Sequence, residues 1–361
     1  MIEDNRQGNN FLKSKRVQWT IIILAIMAYL SFYIPVPFYI TMPGSAVELS
    51  SIIEVEDGYQ ERGSFMLTTV SMMPATAPTY IYSKFDTYTE SIPKEYILNE
   101  NEEQEEYDYR QLMAMLESQN DSILAAFNYL EIPIYITEQG VIVMGIMAGA
   151  PSEEVLQVGD LITGIDNIEI KNTDDLLNYL QPKQAGDIVR LTFTRDSTTY
   201  NEEIALINLS QQIEEDVNVG EEDSLTNSVG LGIYPYNDIL LFPQKEVYFN
   251  TEDIGGPSAG LMFALEIVNR LTPEDLTKGY QIAGTGTLDA NGTVGQIGGA
   301  RLKVKAAYES GAEIFFVPKD IYEEDVNQKE AEEANKDLGS PMQIVPVATL
   351  DEAVQFLQKL Q

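Results

Sequence analysis

The chain contains neither histidine nor cysteine. A hydrolase built from it cannot use a Ser-His-Asp triad, a thiolate nucleophile or a metal held by imidazole or thiolate. A serine activated by a lysine remains open to it. The absence of cysteine also excludes a disulfide framework, without fixing the compartment. Positive charge is scarce: 22 Lys and Arg stand against 57 Asp and Glu, for a formal net charge of −35. Nothing in that balance supplies the basic footprint that displaces counterions, which disfavours nucleic acid and anionic headgroups as partners. No Gly-x-x-x-x-Gly-Lys-(Ser/Thr) run occurs, so there is no Walker A phosphate cradle. What is present is a chain of 361 residues, 44% of them hydrophobic, long enough for about two domains with sizeable cores.

Charge is missing altogether from Val17 to Val47, behind Arg6, Lys13, Lys15 and Arg16. The apolar heart of this run is Trp19 to Ile34, followed by Pro35 and Pro37. About 20 helical residues cross a bilayer core, so residues 17–37 are expected to form a single transmembrane anchor. The basic flank, residues 1–16, is expected to stay cytoplasmic and everything after the anchor to lie outside the cell. The run is longer and more aromatic than a signal-peptide core, and no small-x-small cleavage site follows it.

Beyond the anchor, residues 44–131 hold one β-like run, Ser64 to Val70, and an acidic lead-in from Asn99 to Asp108 that is read as a solvated segment. A helix is expected from about Tyr107 to Leu130, with Leu112, Met115, Leu116, Ile123, Phe127 and Leu130 on one face. Residues 132–207 read as a β-rich module: Val141–Ile146, Leu161–Ile165 and Ile188–Thr194 as strands, with a helix capped at Asn172 or Thr173 running to Leu180. Residues 225–361 alternate strand and helix signals, so the fold class is α/β with mixed sheets. Asn291-Gly292 marks a hairpin turn rather than a calcium loop. Thr349 with Glu352 opens the last helix as a capping box.

The pattern from Gly140 to Asp166, with Gly-x-Val, Ala150-Pro-Ser, Val158-Gly-Asp160 and Leu161-Ile-Thr-Gly-Ile165, resembles a PDZ domain of the bacterial protease-associated kind. That resemblance implies peptide capture by strand addition and places the carboxylate-binding loop at Glu138 to Val141, with Gly140, Val141 and Ile142 as the peptide-binding residues. This stretch departs from the family in lacking a Gly-Leu-Gly-Phe sequence.

Two further runs carry chemistry. In Asp253-Ile-Gly-Gly-Pro-Ser-Ala-Gly260, Pro257 suits a first helical turn and Leu261 to Arg270 is almost continuously apolar. Ser258 therefore sits at the start of a buried helix, where glycines such as Gly256 let backbone approach a substrate and free amides favour an oxyanion. A tight turn with a capping serine explains the same residues. In Gly298-Gly-Ala-Arg-Leu-Lys303 and the helix that follows, a lysine in apolar surroundings loses its proton more readily and can act as a base. Periodicity does not choose among Arg301, Lys303 and Lys305.

Gly255 to Gly260, Ala283-Gly-Thr-Gly-Thr287 and Gly298 to Lys303, in that order between positions 255 and 303, resemble the three motifs of the Lon-type (S16) protease domain. The resemblance implies Ser258 as nucleophile, Lys303 as general base and Thr285 as the hydroxyl orienting the lysine. It departs from many relatives at Gly255, where they carry an acidic residue. Anchor, PDZ-like module and Lon-like domain together resemble the membrane-anchored proteases of Gram-positive bacteria, including pheromone-processing ones. They imply an extracellular, ATP-independent serine endopeptidase acting on peptides or unfolded segments, without metal or cofactor, and a homo-oligomer by analogy with Lon rings. Long-range similarity also suggests that the PDZ-like module is inserted into the proteolytic fold. The alternative reading is a catalytically dead scaffold at the membrane that binds peptides through the PDZ-like module.

Overall fold

The computed structural model describes residues 15–98, 102, 104–209, 229–251 and 254–361. Helix α1 (Lys15–Leu30) is followed by a short turn and then by strand β1 (Pro35–Glu48). The segment expected to be an anchor over 17–37 is thus helical only to Leu30. Proline lacks an amide hydrogen and forces the residue before it into extended backbone, so Pro35 and Pro37 end the helix and open a strand. Among the described residues, no helix is long and apolar enough to cross a membrane. The expected tail lies outside the described residues up to position 14.

Strands β2 (Ile53–Val55) and β3 (Ser64–Thr76), helix α2 (Ala77–Ser83), strand β4 (Glu90–Pro93) and the long helix α3 (Gln104–Tyr129) follow. Next come β5 (Ile134–Ile146), β6 (Leu161–Ile165), β7 (Ile168–Glu169), α4 (Thr173–Leu180), β8 (Ile188–Arg195), β9 (Thr198–Ala205), β10 (Ile207–Asn208), β11 (Val229–Gly230) and β12 (Ile233–Pro243). The last part holds β13 (Val247–Phe249), α5 (Gly260–Leu271), β14 (Gln281–Gly284), β15 (Thr287–Leu288), β16 (Val294–Gly295), α6 (Ala300–Glu309), β17 (Ile314–Pro318), α7 (Asn327–Asp337), β18 (Gln343–Val347) and α8 (Leu350–Gln358).

One six-stranded sheet runs in the order β18-β17-β14-β3-β1-β4. It is parallel from β18 to β3 and antiparallel from β3 to β4. Strands from both sides of the 132–207 segment therefore share a single sheet, and β13 likewise pairs with β2. Side chains alternate across a strand, and here both faces are covered. Phe65, Leu67, Ile282 and Phe316 face α5 and α3, where Phe263, Leu265, Ile267 and Phe127 fill the larger core. Met66, Ala283, Phe315 and Val317 face α6 and α7, against Val304, Ala307, Ala331 and Ala334. This helix–sheet–helix sandwich holds α5 and α6 on opposite faces of β14, with their N-terminal ends near its C-terminal end.

The second sheet runs β12-β5-β6-β8-β9, with β7 on β6, around a core that includes Val141, Val143, Ile162, Leu176, Leu191 and Phe193. Asn172 caps α4 by accepting the Asp175 N–H at 2.8 Å. Buried Asp160, beside Gly159 at φ +94°, accepts the Gln157 amide and both arms of Arg195 at 2.6 and 2.7 Å. The Gly-Asp turn is thus locked by a bidentate ion pair as well as by its own amide. Helix α3 departs from the expected pattern: Leu112 and Leu116 are exposed, and Ser118, Gln119 and Ser122 are buried beside Met115 and Phe127. The physical reason lies in the segment that α3 supports.

Candidate active site

Ser258 lies two residues ahead of α5, whose N-cap is Ala259 with no side-chain cap bond. The serine hydroxyl is therefore not used to close the helix. It accepts a hydrogen bond from Lys303 Nζ at 2.6 Å. The same Nζ donates to Thr285 Oγ1 at 3.0 Å, and Thr285 Oγ1 donates in turn to the Ser258 carbonyl at 3.0 Å. Lys303 is 2% exposed and has no carboxylate partner among the described residues. Burial in low-dielectric surroundings disfavours the ammonium, and its pKa is lowered to about 7. Ser258 Oγ can accept from an ammonium or donate to a free amine, whereas Thr285 Oγ1, whose proton goes to the Ser258 carbonyl, accepts from either form.

The three basic candidates on α6 are separated by their surroundings. Arg301 pairs with Asp337 at 2.6 Å and Lys305 with Glu309 at 2.7 Å, both at the surface. Only Lys303 points to the serine, because a step of two positions on a helix turns a side chain to another face.

The Ser258 loop is built from α3. Ser118 Oγ donates to the Pro257 carbonyl at 3.1 Å, Ser122 Oγ to the Gly260 carbonyl at 2.9 Å, and Gln119 Nε2 to Thr251 Oγ1 at 2.9 Å. These are the polar residues that replace the expected apolar stripe. The two serines satisfy carbonyls at a buried helix start, where an unpaired one is costly. A side chain at Gly260 would be crowded, its Cβ 3.0 Å from the Leu288 amide nitrogen and from Ser118 Oγ. Sequence reasoning missed Ser118 and Ser122, which stand four apart in the polar run Glu117 to Ser122, where composition gives no sign that this face turns inward.

Gly256 has φ +84°, which a glycine adopts without strain. Its N–H already donates to the Gln111 carbonyl at 2.9 Å, so it shapes the turn and is not free to receive an oxyanion. The Gly286 amide and the Thr285 hydroxyl share the Ser258 carbonyl, which fixes the peptide plane after the serine. Asp253 lies outside the described residues.

Ser258 and Lys303 open into a cleft of about 830 Å³. Its walls come from β3 between Leu67 and Met72, from Thr41, Ser45 and Val47 of β1, and from Leu302 and Met115. Glu90 is the only carboxylate lining it among the described residues.

The residues expected to bind peptide lie inside the sheet rather than on its edge. Gly140, Val141 and Ile142 pair with Asp238, Asn237 and Tyr236 of β12 on one side, and Val141 and Ile142 with Ile162 and Leu161 of β6 on the other. Their backbone has no open edge for an added strand. The outer strand is β12, entered through Gly230-Leu-Gly-Ile233 with Gly232 at φ +73°. It runs beside α4, where the Thr173 amide donates to Asn237 Oδ1 at 2.6 Å. The Gly-Leu-Gly signal absent near Gly140 was present in the sequence, beyond the boundary drawn at 207.

Residues 252–359 match the Lon protease (S16) C-terminal proteolytic domain, and residues 114–206 match the PDZ domain. A Lon protease of Mesomycoplasma hyopneumoniae is 33% identical over 104 residues, 29% of this chain and 11% of that protein. A Lon protease of Azospirillum brasilense is 28% identical over 151 residues, 41% of this chain and 17% of that protein. The matched region thus spans less than a fifth of these relatives. A crystal structure of the PDZ domain of an SdrC-like protein from Listeria monocytogenes is 26% identical, with a TM-score of 0.23, covering 27% of this chain and 90% of that one. The chain is a mixed α/β protein that carries a PDZ domain and a Lon-type (S16) proteolytic domain.

Proposed function

We propose that the chain is an ATP-independent serine endopeptidase in which Lys303 is the general base for Ser258. The observation that carries this reading is the 2.6 Å contact between Lys303 Nζ and Ser258 Oγ, made by a buried amine whose pKa is lowered to about 7. Neutral Lys303 takes the Ser258 proton as the oxygen attacks a peptide carbonyl, and then delivers it to the leaving amine. Water repeats the cycle on the acyl-enzyme. Thr285 holds the amine in line with the serine, and the Ser258 amide, which has no backbone acceptor among the described residues, serves the oxyanion. The apolar walls of the cleft suit an extended peptide with uncharged side chains near the scissile bond. A peptide strand added to β12 brings substrate to the PDZ domain. The amine must be neutral to act, so kcat/KM rises with pH through about 7.

Helix α1, apolar on every side and uncovered by the fold, attaches the chain to a membrane, with the catalytic domain outside the cell. The test of the chemistry is peptide cleavage by the full chain beside Ser258→Ala, Lys303→Arg, Thr285→Val and Thr285→Ser. The first two are expected to lose at least about a thousandfold. Arginine is included because guanidinium stays protonated. Thr285→Val should lose roughly tenfold or more in kcat, and Thr285→Ser should recover most of it. Undiminished cleavage by Ser258→Ala would sink the dyad, whereas peptide binding without cleavage by the wild-type chain would favour the peptide-binding scaffold. The anchor is tested separately by Trp19, the chain's single tryptophan: its fluorescence in vesicles is quenched by brominated acyl chains only if α1 enters the bilayer.

A further inference from the structure

The uncharged stretch that begins at Val17 has a second, separate counterpart: Gly63 to Ser83 also contains no Asp, Glu, Lys or Arg, in a chain that is 22% charged. The structure brings the two together. β1 and β3 are antiparallel neighbours, and Pro35, the first residue after the α1 turn, pairs with Thr76, the N-cap of α2. Phe38 and Tyr80 pack ring against ring at 4.5 Å across this junction. Helix α2 is therefore held at the end of the sheet where α1 enters.

The surface at that end is apolar and uncovered. Phe32, Tyr33 and Ile34 are exposed on the turn, Met73 on β3, and Ile81, Tyr82 and Phe85 on or just after α2, with Phe85 84% exposed. Lys84 reaches back from this surface, lying over the Tyr80 ring and donating to Ser91 Oγ at 2.7 Å. Aromatic rings with a nearby lysine are the composition found where protein meets the bilayer interface. The helix itself leaves room for such a surface. Its 16 described residues extend about 24 Å, some 6 Å less than a hydrocarbon core of about 30 Å.

We infer that α2 and the Phe32–Ile34 turn form a membrane-seated foot, with Ile81, Tyr82 and Phe85 inserted at the lipid interface beside α1. This inference rests on the reading of α1 as a membrane anchor. The occupant is a lipid surface rather than another protein, because the patch is continuous with the apolar circumference of α1 and draws mainly on two runs, 17–47 and 63–83, that hold no carboxylate, Asp86 following directly after Phe85. The foot also sets the height of the catalytic cleft. Thr41, the first β1 residue in its wall, lies six residues from Pro35, about 20 Å along an extended strand. Cleavage is thereby directed to chain segments lying just outside the bilayer.

The lack of cysteine makes the test clean. Tyr82→Cys, Phe85→Cys, Ile23→Cys and Lys336→Cys are made singly in the full chain, labelled with an environment-sensitive dye and reconstituted in phosphatidylcholine–phosphatidylglycerol vesicles with brominated acyl chains. Labels at 82 and 85 are expected to be quenched several-fold more than the label at 336 on α7. Quenching at 23 without quenching at 82 and 85 overturns the foot and leaves the anchor standing. No quenching at 23 overturns the anchor, and the foot with it. A change at 85 that follows protein concentration at fixed lipid, rather than bromination, assigns the patch to a second copy of the chain and overturns the lipid reading.

Discussion

Two ionisable groups are buried on the proteolytic domain's helices, and they are treated differently. Lys303 on α6 is 2% exposed and faces two hydroxyls. Glu266 on α5 is fully buried, and neither of its carboxyl oxygens has a hydrogen-bond partner among the described residues. Burial favours the neutral form of each, lowering the lysine to about 7 and, together with the nearby Glu61 charge and against Arg270, raising the glutamic acid to about 8. One is a polarised amine aimed at a nucleophile. The other is a proton held in the core, two turns of helix away from the same serine. The contrast teaches that a displaced pKa becomes chemistry only where a reacting group is within reach.

Replacing the lysine breaks the comparison most severely. Lys303→Met should abolish peptide cleavage, a loss of at least about a thousandfold, while changing stability in the other direction. Unfolded, Lys303 titrates near 10.5, and folded near 7. Between these values the unfolded chain binds the extra proton, so the wild-type stability from this group is present at high pH and lost as pH falls towards 7. Lys303→Met removes that dependence. Relative to wild type, it should therefore gain on the order of 4 kcal/mol at pH 7 compared with pH 10.5. Denaturant melts at the two pH values check this. A parallel pH dependence in wild type and variant would mean that the folded lysine is protonated at neutral pH.

Glu266 sharpens the comparison with the opposite slope. Its folded pKa is raised from 4.5 to about 8, so its contribution is present at low pH and lost as pH rises through that window. Glu266→Gln should keep cleavage near the wild-type level. It should gain on wild type by on the order of 2 kcal/mol at pH 8 relative to pH 5, less than for the lysine because Glu61, itself raised mainly by burial, can take up the proton instead. Thermal midpoints at pH 5 and 8 test it. Equal midpoint differences would place the buried proton on Glu61 throughout.

The two sites were not equally legible. Glycine-framed runs marked Ser258 before one helix and a basic helix after Gly299, because tight turns and buried helix starts demand particular residue types locally. The choice of Lys303 over Arg301 and Lys305 came only from the resemblance to the Lon-type motifs. Nothing local marks Glu266. Its setting depends on Glu61, which the fold brings over from the segment before β3, and on Asn269, whose side-chain amide donates to Glu61 at 2.9 Å. Ser118 and Ser122 sat in a helix predicted with nearly correct ends but the wrong buried face, since their partners are carbonyls more than a hundred residues away. The outer strand of the second sheet was not legible for the same reason. Alternation identified Val141 to Ile146 as a strand, but which strands flank it is a long-range fact that period-2 patterning does not contain.

The smallest expected effect tests whether burial alone separates the lysines of α6. Lys305 lies two positions beyond Lys303 and faces outward, bonded to Glu309 at 2.7 Å and lying 5.0 Å from the centre of the Tyr88 ring. Its pKa is raised, chiefly by the Glu309 hydrogen bond, opposite in direction to its neighbour. Exposed pairs of this kind are worth under about 0.5 kcal/mol. Lys305→Met should therefore leave stability nearly unchanged and cleavage within about twofold of wild type, given screening by solvent between the helix faces. The decisive readout is the midpoint of the pH–rate profile rather than the rate. An unmoved midpoint assigns the low pKa of Lys303 to its dry surroundings. An upward shift in Lys305→Met would show that a neighbouring positive charge holds Lys303 neutral, making the outer lysine part of how the inner one works.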